Sequence, residues 1–364
     1  MSEPGLWLDG AFYPPTALAA LCRERLADGA TAGWARHLHE FLLDWLSPAP
    51  DMELPTSGAT GEAKRIRVSK QAMGHSARMT GEYFQLRPGQ TALLCMPASH
   101  IAGRMMVVRA WELGLRLVCV DPRGLSLAGV DTTIDFAAMV PSQLHRLLFD
   151  EPAGAAQLAR IRQLLLGGGA VSANLLAAIP DLPCRVFLSY GMTETLSHIA
   201  IRRLSPPAEA HFRVLPGVTV ALDERDCLVI HAPGLGVQGL VTNDVASLHE
   251  DGRFALLGRV DSLINSGGIK HFPEQLEARL EALLPHRAFF IAGLPDQRLG
   301  ERLALFVEGP ADLDTTALQA RINELLEPYQ RPREIHFIAR FARTPTAKIQ
   351  RRASLQGFMG RPGQ

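Results

Sequence analysis

Long apolar runs, paired cysteines and an excess of charge are all missing from this sequence of 364 residues. No uninterrupted apolar stretch reaches the roughly 18 residues that a membrane-spanning helix needs. The best candidate, residues 101–120, contains four charged side chains. The five cysteines are odd in number and scattered, so neither a disulfide framework nor a zinc site is expected. Because the first ten residues also lack the features of a secretory signal, we expect a cytoplasmic protein with reduced thiols and no membrane insertion.

Lysine is scarce among the basic residues. Acidic and basic residues balance at 37 each, which gives no indication of a nucleic-acid partner. Only four of the basic residues are lysine, namely Lys64, Lys70, Lys270 and Lys348. Where arginine is used so freely, a lysine indicates a position that needs a compact ammonium group, although any one of the four could also be present by chance.

The order of the predicted elements indicates an α/β fold. Helical spacing covers residues 16–46, and a further helix is predicted over 70–83. Short apolar runs bounded by turn formers predict strands at 92–96, 115–120, 136–140, 163–166 and 185–188. Helices are predicted between them at 103–113, 143–148 and 173–179. Strands that alternate with helices predict a large layered domain with a substantially parallel sheet.

The pattern changes at about Pro216. Alternating apolar and polar residues around Asp-Glu and Asp-Gly turns predict antiparallel hairpins, which form a β-rich subdomain. After Asp261 the chain predicts a small α+β unit, with helices at 273–284 and 315–326 and strands at 288–293, 302–308 and 334–338. We therefore predict an N-terminal domain over residues 1–261 and a small, mobile C-terminal domain over residues 262–364.

The first motif that could carry chemistry spans residues 56–64. Gly58 and Gly61 permit close backbone approach, so that successive N–H groups can converge on phosphate oxygens. Three hydroxyl donors and a mobile positive charge complete the segment: Thr56, Ser57, Thr60 and Lys64. The spacing is not that of a Walker A loop, and a polar turn would also explain the segment when it is read alone.

The second motif is the polar segment after the predicted strand 185–188. Tyr190 could stack on an adenine face, Gly191 lets the backbone approach a ligand, and Thr193 can bond a phosphate oxygen. Glu194 supplies a hard oxygen ligand of the kind that Mg²⁺ prefers. An ordinary strand-to-helix turn with a threonine cap would explain the same residues.

Two further motifs lie closer to the C-terminus. Asp244 could hold a ribose diol through its two carboxylate oxygens, and Arg259 could reach the same sugar or a phosphate. A turn at Asp244 and a surface ion pair at Arg259 are the structural alternatives. Lys348 lies in a short segment at 344–351, where an isolated lysine is more often a solvated surface charge.

Together these motifs resemble the adenylate-forming superfamily of acyl-CoA synthetases, adenylation domains and luciferases. Residues 56–64 are similar to its phosphate loop, and residues 190–194 to its Tyr-Gly-x-Thr-Glu motif. Residues 258–270 resemble its Gly-Arg-x-Asp…Ser-Gly-Gly-x-Lys segment, and residues 345–351 resemble the loop that carries its catalytic lysine. The resemblance covers about residues 54–352, and three of the four lysines fall inside these motifs.

The resemblance implies a two-step reaction that uses ATP, Mg²⁺ and coenzyme A. A carboxylate and ATP give an acyl-adenylate and pyrophosphate, and the CoA thiolate attacks the adenylate after the small domain turns about a hinge at Asp261. Catalytic roles are implied for Lys348, Thr193 and Glu194, with Glu194 as the metal ligand. The residues implied to bind ATP or AMP are Thr56, Ser57, Gly58, Thr60, Gly61, Lys64, Gly168, Gly169, Ala170, Ser189, Tyr190, Gly191, Met192, Asp244 and Arg259. The residues implied to bind CoA are Ser266, Gly267, Gly268 and Lys270, and those near the acid are His100, Arg109 and Gly169.

Three positions depart from the superfamily pattern. Ala59 stands where Ser or Thr is usual, and Ala347 replaces the usual Gly before the catalytic lysine. Asn243 stands where Gly is commoner, and we expect little loss because Asn tolerates a left-handed backbone. None of these changes removes a charged group. The N-terminal region is also short, since only about 55 residues precede the phosphate loop.

The short N-terminal region and residues 95–110 resemble the compact o-succinylbenzoate–CoA ligases of menaquinone biosynthesis, and residues 135–143 agree. By this resemblance His100 borders the acyl pocket, and Arg109 is predicted to pair with the aromatic carboxylate of the substrate. An i,i+3 ion pair between Arg109 and Glu112 is the alternative.

Two rival functions stay open on the sequence alone. One is a CoA ligase for another aryl or fatty acid, and the other is a non-catalytic nucleotide-binding protein derived from such an enzyme. The expected partners are small-molecule substrates, and a homodimer is a further expectation.

Overall fold

A computed structural model of the chain describes residues 4–55, 65–124, 127, 129–285, 287–343 and 349–359. In chain order the strands are β1 (Leu6–Leu8), β2 (Ala11–Tyr13), β3 (Asp51–Pro55), β4 (Arg65–Ser69), β5 (Thr91–Leu94), β6 (Arg116–Cys119), β7 (Phe136–Met139), β8 (Gln163–Leu166), β9 (Arg185–Gly191), β10 (His198–Arg203), β11 (Arg213–Val214), β12 (Thr219–Leu222), β13 (Cys227–Ala232), β14 (Val237–Leu248), β15 (Phe254–Arg259), β16 (Ile264–Ser266), β17 (Ile269–His271), β18 (Phe289–Asp296), β19 (Gly300–Glu308) and β20 (Glu334–Ile338).

Helices alternate with these strands along the chain. They are α1 (Pro15–Ala27), α2 (Gly33–Leu46), α3 (Lys70–Phe84), α4 (Ile101–Leu113), α5 (Pro141–His145), α6 (Gly154–Leu158), α7 (Ala173–Ala178), α8 (Pro273–Leu280), α9 (Thr315–Leu325) and α10 (Arg351–Met359). No described helix is long and apolar enough to cross a membrane.

A nine-stranded mixed sheet forms the centre of the N-terminal part, in the order β11-β10-β9-β8-β7-β5-β6-β1-β2. The strands from β9 to β1 pair in parallel, and the outermost strands at both edges pair antiparallel. Successive side chains of a strand point to opposite faces of a sheet, so Leu165 joins one apolar core while Leu164 and Leu166 join the other. The predicted α/β layers are therefore confirmed.

The N-terminal hairpin of β1 and β2 is an addition that the sequence analysis did not predict. Trp7 and Leu8 pair in parallel with Arg116 and Leu117 of β6. Cys119 N also donates to Asp9 Oδ1 at 2.8 Å. The three-residue strands are too short to show a period, and only their pairing with β6 makes them recognisable.

Two smaller sheets follow in the sequence, as the change of pattern at Pro216 predicts. β12, β13, β14 and β15 form an antiparallel four-stranded sheet. The described strands from Ile264 onward belong to another sheet, in the order β17-β16-β19-β18, and β20 pairs with β19. The change of sheet falls between Arg259 and Ile264, which brackets Asp261.

Candidate active site

A two-stranded hairpin carries the predicted phosphate loop. β3 and β4 pair antiparallel, and the last pair, Pro55 with Arg65, closes the base of residues 56–64. The predicted loop residues themselves lie outside the described residues: Thr56, Ser57, Gly58, Thr60, Gly61 and Lys64. The structure therefore places the two ends of this segment side by side, as a loop requires.

The carboxyl ends of two neighbouring parallel strands, β8 and β9, carry two of the predicted segments. After β8, Gly168 has a φ of +78°, a left-handed backbone that favours glycine, and the exposed Gly169 and Ala170 follow it. Ser189 Oγ donates to Leu166 O at 2.8 Å and so ties β9 to the end of β8. In parallel α/β sheets this edge is where ligands bind.

Tyr190, Asp244 and Arg259 form one hydrogen-bonded network, although they come from distant motifs. Tyr190 Oη donates to Asp244 Oδ2 at 2.7 Å, and Arg259 Nη1 donates to Asp244 Oδ1 at 3.0 Å. Arg259 also donates to both carboxylate oxygens of Asp261, at 3.0 and 2.8 Å. Burial and the nearby Asp244 carboxylate raise the pKa of Tyr190 far above its ordinary value, while the hydrogen bonds from Arg259 lower the pKa of Asp261.

The side chain of Tyr190 is buried, and its ring lies against two phenylalanine rings, Phe212 and Phe254. Adenine stacking on this ring stays a prediction. Asn243 lies within the extended strand β14, and Val260 N donates to its carbonyl oxygen at 2.9 Å. The expectation of a left-handed backbone at Asn243 is therefore wrong, because an extended strand accepts asparagine without strain.

Glu194 is exposed in a short 3-10 turn that directly follows Met192. It lines a groove of about 660 Å³ together with residues of β4, the first turns of α3 and the turn at 233–236. Since β4 continues directly from residues 56–64, the groove places Glu194 near the base of the predicted phosphate loop. A solvent-accessible carboxylate at this position fits the hard oxygen donor that Mg²⁺ needs.

The turn itself has the threonine cap that the alternative interpretation expected. Thr195 Oγ1 accepts a hydrogen bond from Met192 N at 3.0 Å, and Thr193 begins the 3-10 turn. Gly191 is required by the packing of the chain itself. A Cβ at Gly191 would lie 2.2 Å from the carbonyl oxygen of Ser197, where β9 and β10 come together.

Arg109 is held inside the protein by neutral side chains. Its side chain is 2% exposed. Nε donates to Thr80 Oγ1 at 3.2 Å, and Nη2 donates to Ser197 Oγ at 2.6 Å. Burial lowers its pKa to about 10. Glu112 pairs with Arg78, so the alternative of an Arg109–Glu112 ion pair is wrong.

His198 adjoins Arg109 and was missed by the sequence analysis. Thr80 Oγ1 uses its own proton toward Ser76 O, so His198 Nε2 donates to Thr80 Oγ1 at 3.2 Å. His198 Nδ1 then faces Arg109 Nη2 at 3.5 Å as an acceptor. Burial, and secondarily the charge of Arg109, lower the pKa of His198 well below its ordinary value, so the ring is neutral.

His100 lies at the same edge of the sheet, at the N-terminus of α4 and after the parallel strand β5. It is exposed, and Ser99 Oγ lies 3.1 Å from its Nδ1. Gly103 in the first turn of α4 has no room for a Cβ, which would lie 2.3 Å from Pro97 O. This close approach brings the start of α4 against the loop that follows β5.

The predicted CoA-binding residues form a tight hairpin in the C-terminal sheet. β16 and β17 pair with Ser266 opposite Ile269, and Gly267 and Gly268 both have positive φ, +62° and +85°. Lys270 is exposed on β17. Among the described contacts, none joins this hairpin to the Tyr190 network. Lys348 lies outside the described residues.

Comparison with known proteins identifies the class. Residues 54–235 match the AMP-binding enzyme family, and the chain belongs to this family. An acyl-CoA synthetase (AMP-forming)/AMP-acid ligase II-like protein from Dyadobacter fermentans is 38% identical, covers 93% of this chain and 98% of its own, and superposes with a TM-score of 0.61.

Two further proteins give a particular activity with which this chain can be compared. A probable 2-succinylbenzoate–CoA ligase from Mycobacterium tuberculosis is 28% identical, over 90% of this chain and 91% of its own. The o-succinylbenzoate coenzyme A synthetase from Bacillus subtilis, solved with its acyl-adenylate intermediate, superposes with a TM-score of 0.71. At 23% identity, over 86% of this chain and 69% of its own, the latter comparison shows a shared fold.

Proposed function

We propose that the chain is an ATP-dependent acid–CoA ligase that converts o-succinylbenzoate, through its acyl-adenylate, to o-succinylbenzoyl-CoA, AMP and pyrophosphate. The relatives from Mycobacterium tuberculosis and Enterococcus faecalis that carry the name 2-succinylbenzoate–CoA ligase support this substrate. The Bacillus subtilis synthetase solved with ATP and magnesium supports the same nucleotide and metal. The product belongs to menaquinone biosynthesis.

The buried environment of Arg109 is the observation that supports the choice of substrate. A buried guanidinium group is costly unless an anion neutralises it. No acidic side chain in the described part of the chain pairs with Arg109, and its hydrogen bonds go to hydroxyl groups and an imidazole. A substrate with two carboxylates can neutralise Arg109 with one and present the other to ATP.

The residues of the chain have separate tasks in the first step. Asp244, oriented by Tyr190 and Arg259, accepts hydrogen bonds from the ribose hydroxyls of ATP. The backbone of residues 56–64 and Lys64 would hold the phosphates, and Glu194 would hold Mg²⁺, which would supply positive charge against the leaving pyrophosphate. Lys348 approaches the oxygens between the carboxylate and the α-phosphate, because joining two anions requires neutralisation of charge.

The second step uses another face of the C-terminal part. We place the division into domains at Asp261, between residues 1–261 and 262–364. In this scheme Lys348 leaves after adenylation, and the hairpin with Ser266, Gly267, Gly268 and Lys270 lines the path of the CoA thiol. Four of the five cysteines are buried free thiols, which supports a cytoplasmic location. A homodimer also belongs to this proposal.

A single assay tests the proposal. Purified protein is incubated with ATP, Mg²⁺, CoA and one acid, and mass spectrometry detects the thioester and AMP. The acids are o-succinylbenzoate, 4-oxo-4-phenylbutanoate and a medium-chain fatty acid. We expect the highest kcat/KM with o-succinylbenzoate. A higher kcat/KM with either other acid would contradict the proposed substrate. Absence of AMP with all three acids would contradict the proposed enzymatic activity.

A further inference from the structure

The chain on either side of residues 344–348 forms a closed stem. Arg343 and Ile349 form an isolated antiparallel bridge. Gln350 N donates to Ala342 O at 2.8 Å, so the two sides are joined by a second backbone contact. We call residues 341–343 and 349–351 the loop stem. The residues that flank 344–348 are therefore held side by side.

An arginine on each side attaches the loop stem to a different carboxylate. On the first side, Arg343 pairs with Glu308 at the end of β19. On the second side, Arg351 Nη2 donates to Glu277 Oε2 at 2.7 Å and lies 3.5 Å from Glu274 Oε1. The side chains of Arg351 and Glu277 are mostly buried, which strengthens their electrostatic interaction, whereas the side chain of Glu274 is 37% exposed.

Both glutamates that contact Arg351 lie on α8 and have second partners. Glu277 Oε1 accepts a hydrogen bond from Ile291 N of β18 at 2.7 Å. Glu274 Oε1 accepts one from Ser262 Oγ at 2.8 Å, directly beside Asp261. A continuous chain of contacts therefore runs from the residue after the proposed hinge, through α8, to the loop stem.

We propose that Arg351 and Glu277 are positioning residues for adenylation, which fix the loop stem so that Lys348 is presented to the reacting carboxylate and α-phosphate. This inference rests on the proposed function, in which Lys348 acts only in the first step. Burial raises the pKa of Glu277 to about 7, and the charge of Arg351 opposes this shift.

The test uses Glu277→Gln, with the two half-reactions measured separately. Glutamine keeps the size of the side chain and can still accept the hydrogen bond from Ile291 N, but it loses the charge that holds Arg351. We expect the rate of pyrophosphate release from acid and ATP to fall on the order of tenfold or more, because catalytic groups are sensitive to small displacements. Thioester formation from chemically prepared acyl-adenylate and CoA should change by less than about twofold.

Glu334→Gln is the matched control. Glu334 accepts a hydrogen bond from Arg302 Nε at 2.9 Å in the same C-terminal sheet but does not contact the loop stem. We expect both of its half-reactions to stay within about twofold of the wild type. Arg351→Lys, which keeps the charge and loses the planar fork, should give a smaller version of the Glu277→Gln effect.

Amide hydrogen exchange provides a readout that does not depend on activity. The amides of Gln350 and Ser354 are hydrogen-bonded at the stem and at the start of α10. In Glu277→Gln we expect both to exchange about tenfold faster, with the exchange of the β19 amides unchanged. Unchanged exchange at Gln350 and Ser354 would overturn the inference, and so would an equal loss in both half-reactions. A wild-type protein that forms no adenylate would instead overturn the proposed function.

Discussion

Arg109 combines a stability cost with a proposed role in recognition. Replacement by Met keeps much of the side-chain volume and removes the charge. We expect Arg109→Met to raise the KM for o-succinylbenzoate by about 10- to 100-fold, since hydrogen bonds to charged groups contribute about 1.5–3 kcal/mol. The KM for ATP should stay within about twofold. Steady-state kinetics with each substrate varied in turn measures both.

The analogue 4-oxo-4-phenylbutanoate serves as the control for this variant because it lacks the aromatic carboxylate. Its KM should be the same for Arg109→Met and for the wild type. The variant should also unfold at a higher temperature than the wild type, because an unpaired buried charge has been removed. Equal increases in the KM of the acid and of ATP would argue against the assignment of Arg109.

His198 should make the stability of the protein depend on pH. The unfolded chain binds a proton near pH 6.5, whereas the pKa of the folded His198 lies well below this value. The contribution of His198 is therefore fully present above about pH 6.5 and is lost as the pH falls. Its share amounts to about 1.4 kcal/mol of unfolding free energy per pH unit. Urea denaturation at pH 7, 6 and 5 should show a shallower decline for His198→Gln than for the wild type.

His100→Gln is the matched comparison for this experiment, since His100 is exposed and its described hydrogen-bond partner is Ser99. It shows how far the loss of a histidine side chain alone changes the slope. Identical slopes for His198→Gln and the wild type would show that the buried ring does not carry the effect. Only the slope is compared, because the absolute stability also reflects the lost contact with Thr80.

The motifs predicted polar residues of the candidate site, but not the buried residues that contact Arg109. Tyr190, Asp244 and Arg259 were recognised from their sequence context, and the structure joins them. Thr80 and His198 lie outside these motifs, and their contacts with Arg109 exist only because α3, α4 and β10 pack together. A single histidine in an apolar strand gives no signal of such a contact, although the buried position of His198 in β10 explains its neutral ring.

At the scale of elements, the contacts of Lys70 explain why the one lysine outside the motifs is present. It begins α3, and its Nζ donates to Trp45 O at 2.9 Å and to Ser47 O at 2.7 Å at the end of α2. A cation at a helix C-terminus satisfies free carbonyl groups and interacts favourably with the helix dipole. The scarcity of lysine thus indicated a structural need here, where a compact ammonium reaches two carbonyl groups.

We expect Lys70→Met to lower the unfolding free energy by about 1–2 kcal/mol, because the carbonyl groups of α2 lose their donors. The values of kcat and KM should stay within about twofold of the wild type. Equilibrium denaturation in urea measures the stability. Lys270→Met, which removes an exposed lysine, should leave the stability unchanged, and a similar loss in both variants would contradict the capping role.

Strand and helix predictions succeeded where a long pattern or a strong boundary was present. β8 and β20 have the predicted limits, and the helix predicted over 70–83 ends one residue later in the structure. The helical spacing over 16–46 is divided into α1 and α2. β10 was missed because its residues alternate weakly, and its pairing with β9 supplies the hydrogen bonds that define it.

At the scale of the whole molecule, a hydrogen bond in the described part of the chain joins the C-terminal part to the sheet edge that carries Gly168 and Gly169. Glu281 Oε2 accepts a hydrogen bond from Ala173 N at 2.6 Å, at the start of α7. The proposed reaction needs two orientations of the C-terminal part. A contact made in one orientation stabilises that orientation by its own free energy.

We expect Glu281→Ala to change the ratio of the two half-reaction rates by about fivefold, with one rate rising and the other falling. This corresponds to the loss of about 1 kcal/mol from one orientation. Pyrophosphate release and thioester formation, measured separately, give the ratio. Glu324→Ala on the exposed face of α9 should leave the ratio unchanged, and a parallel fall of both rates in Glu281→Ala would contradict the expectation.

The pairing of β1 with β6 has a consequence for the order of folding. During synthesis β1 leaves the ribosome before its partners, Arg116 and Leu117, which follow only after four helices have been made. The hairpin of β1 and β2 therefore has no strand to pair with when it emerges, and it can join the sheet only late. Pairing between such distant segments makes loop closure expensive, so docking of the hairpin should be among the slow steps of folding.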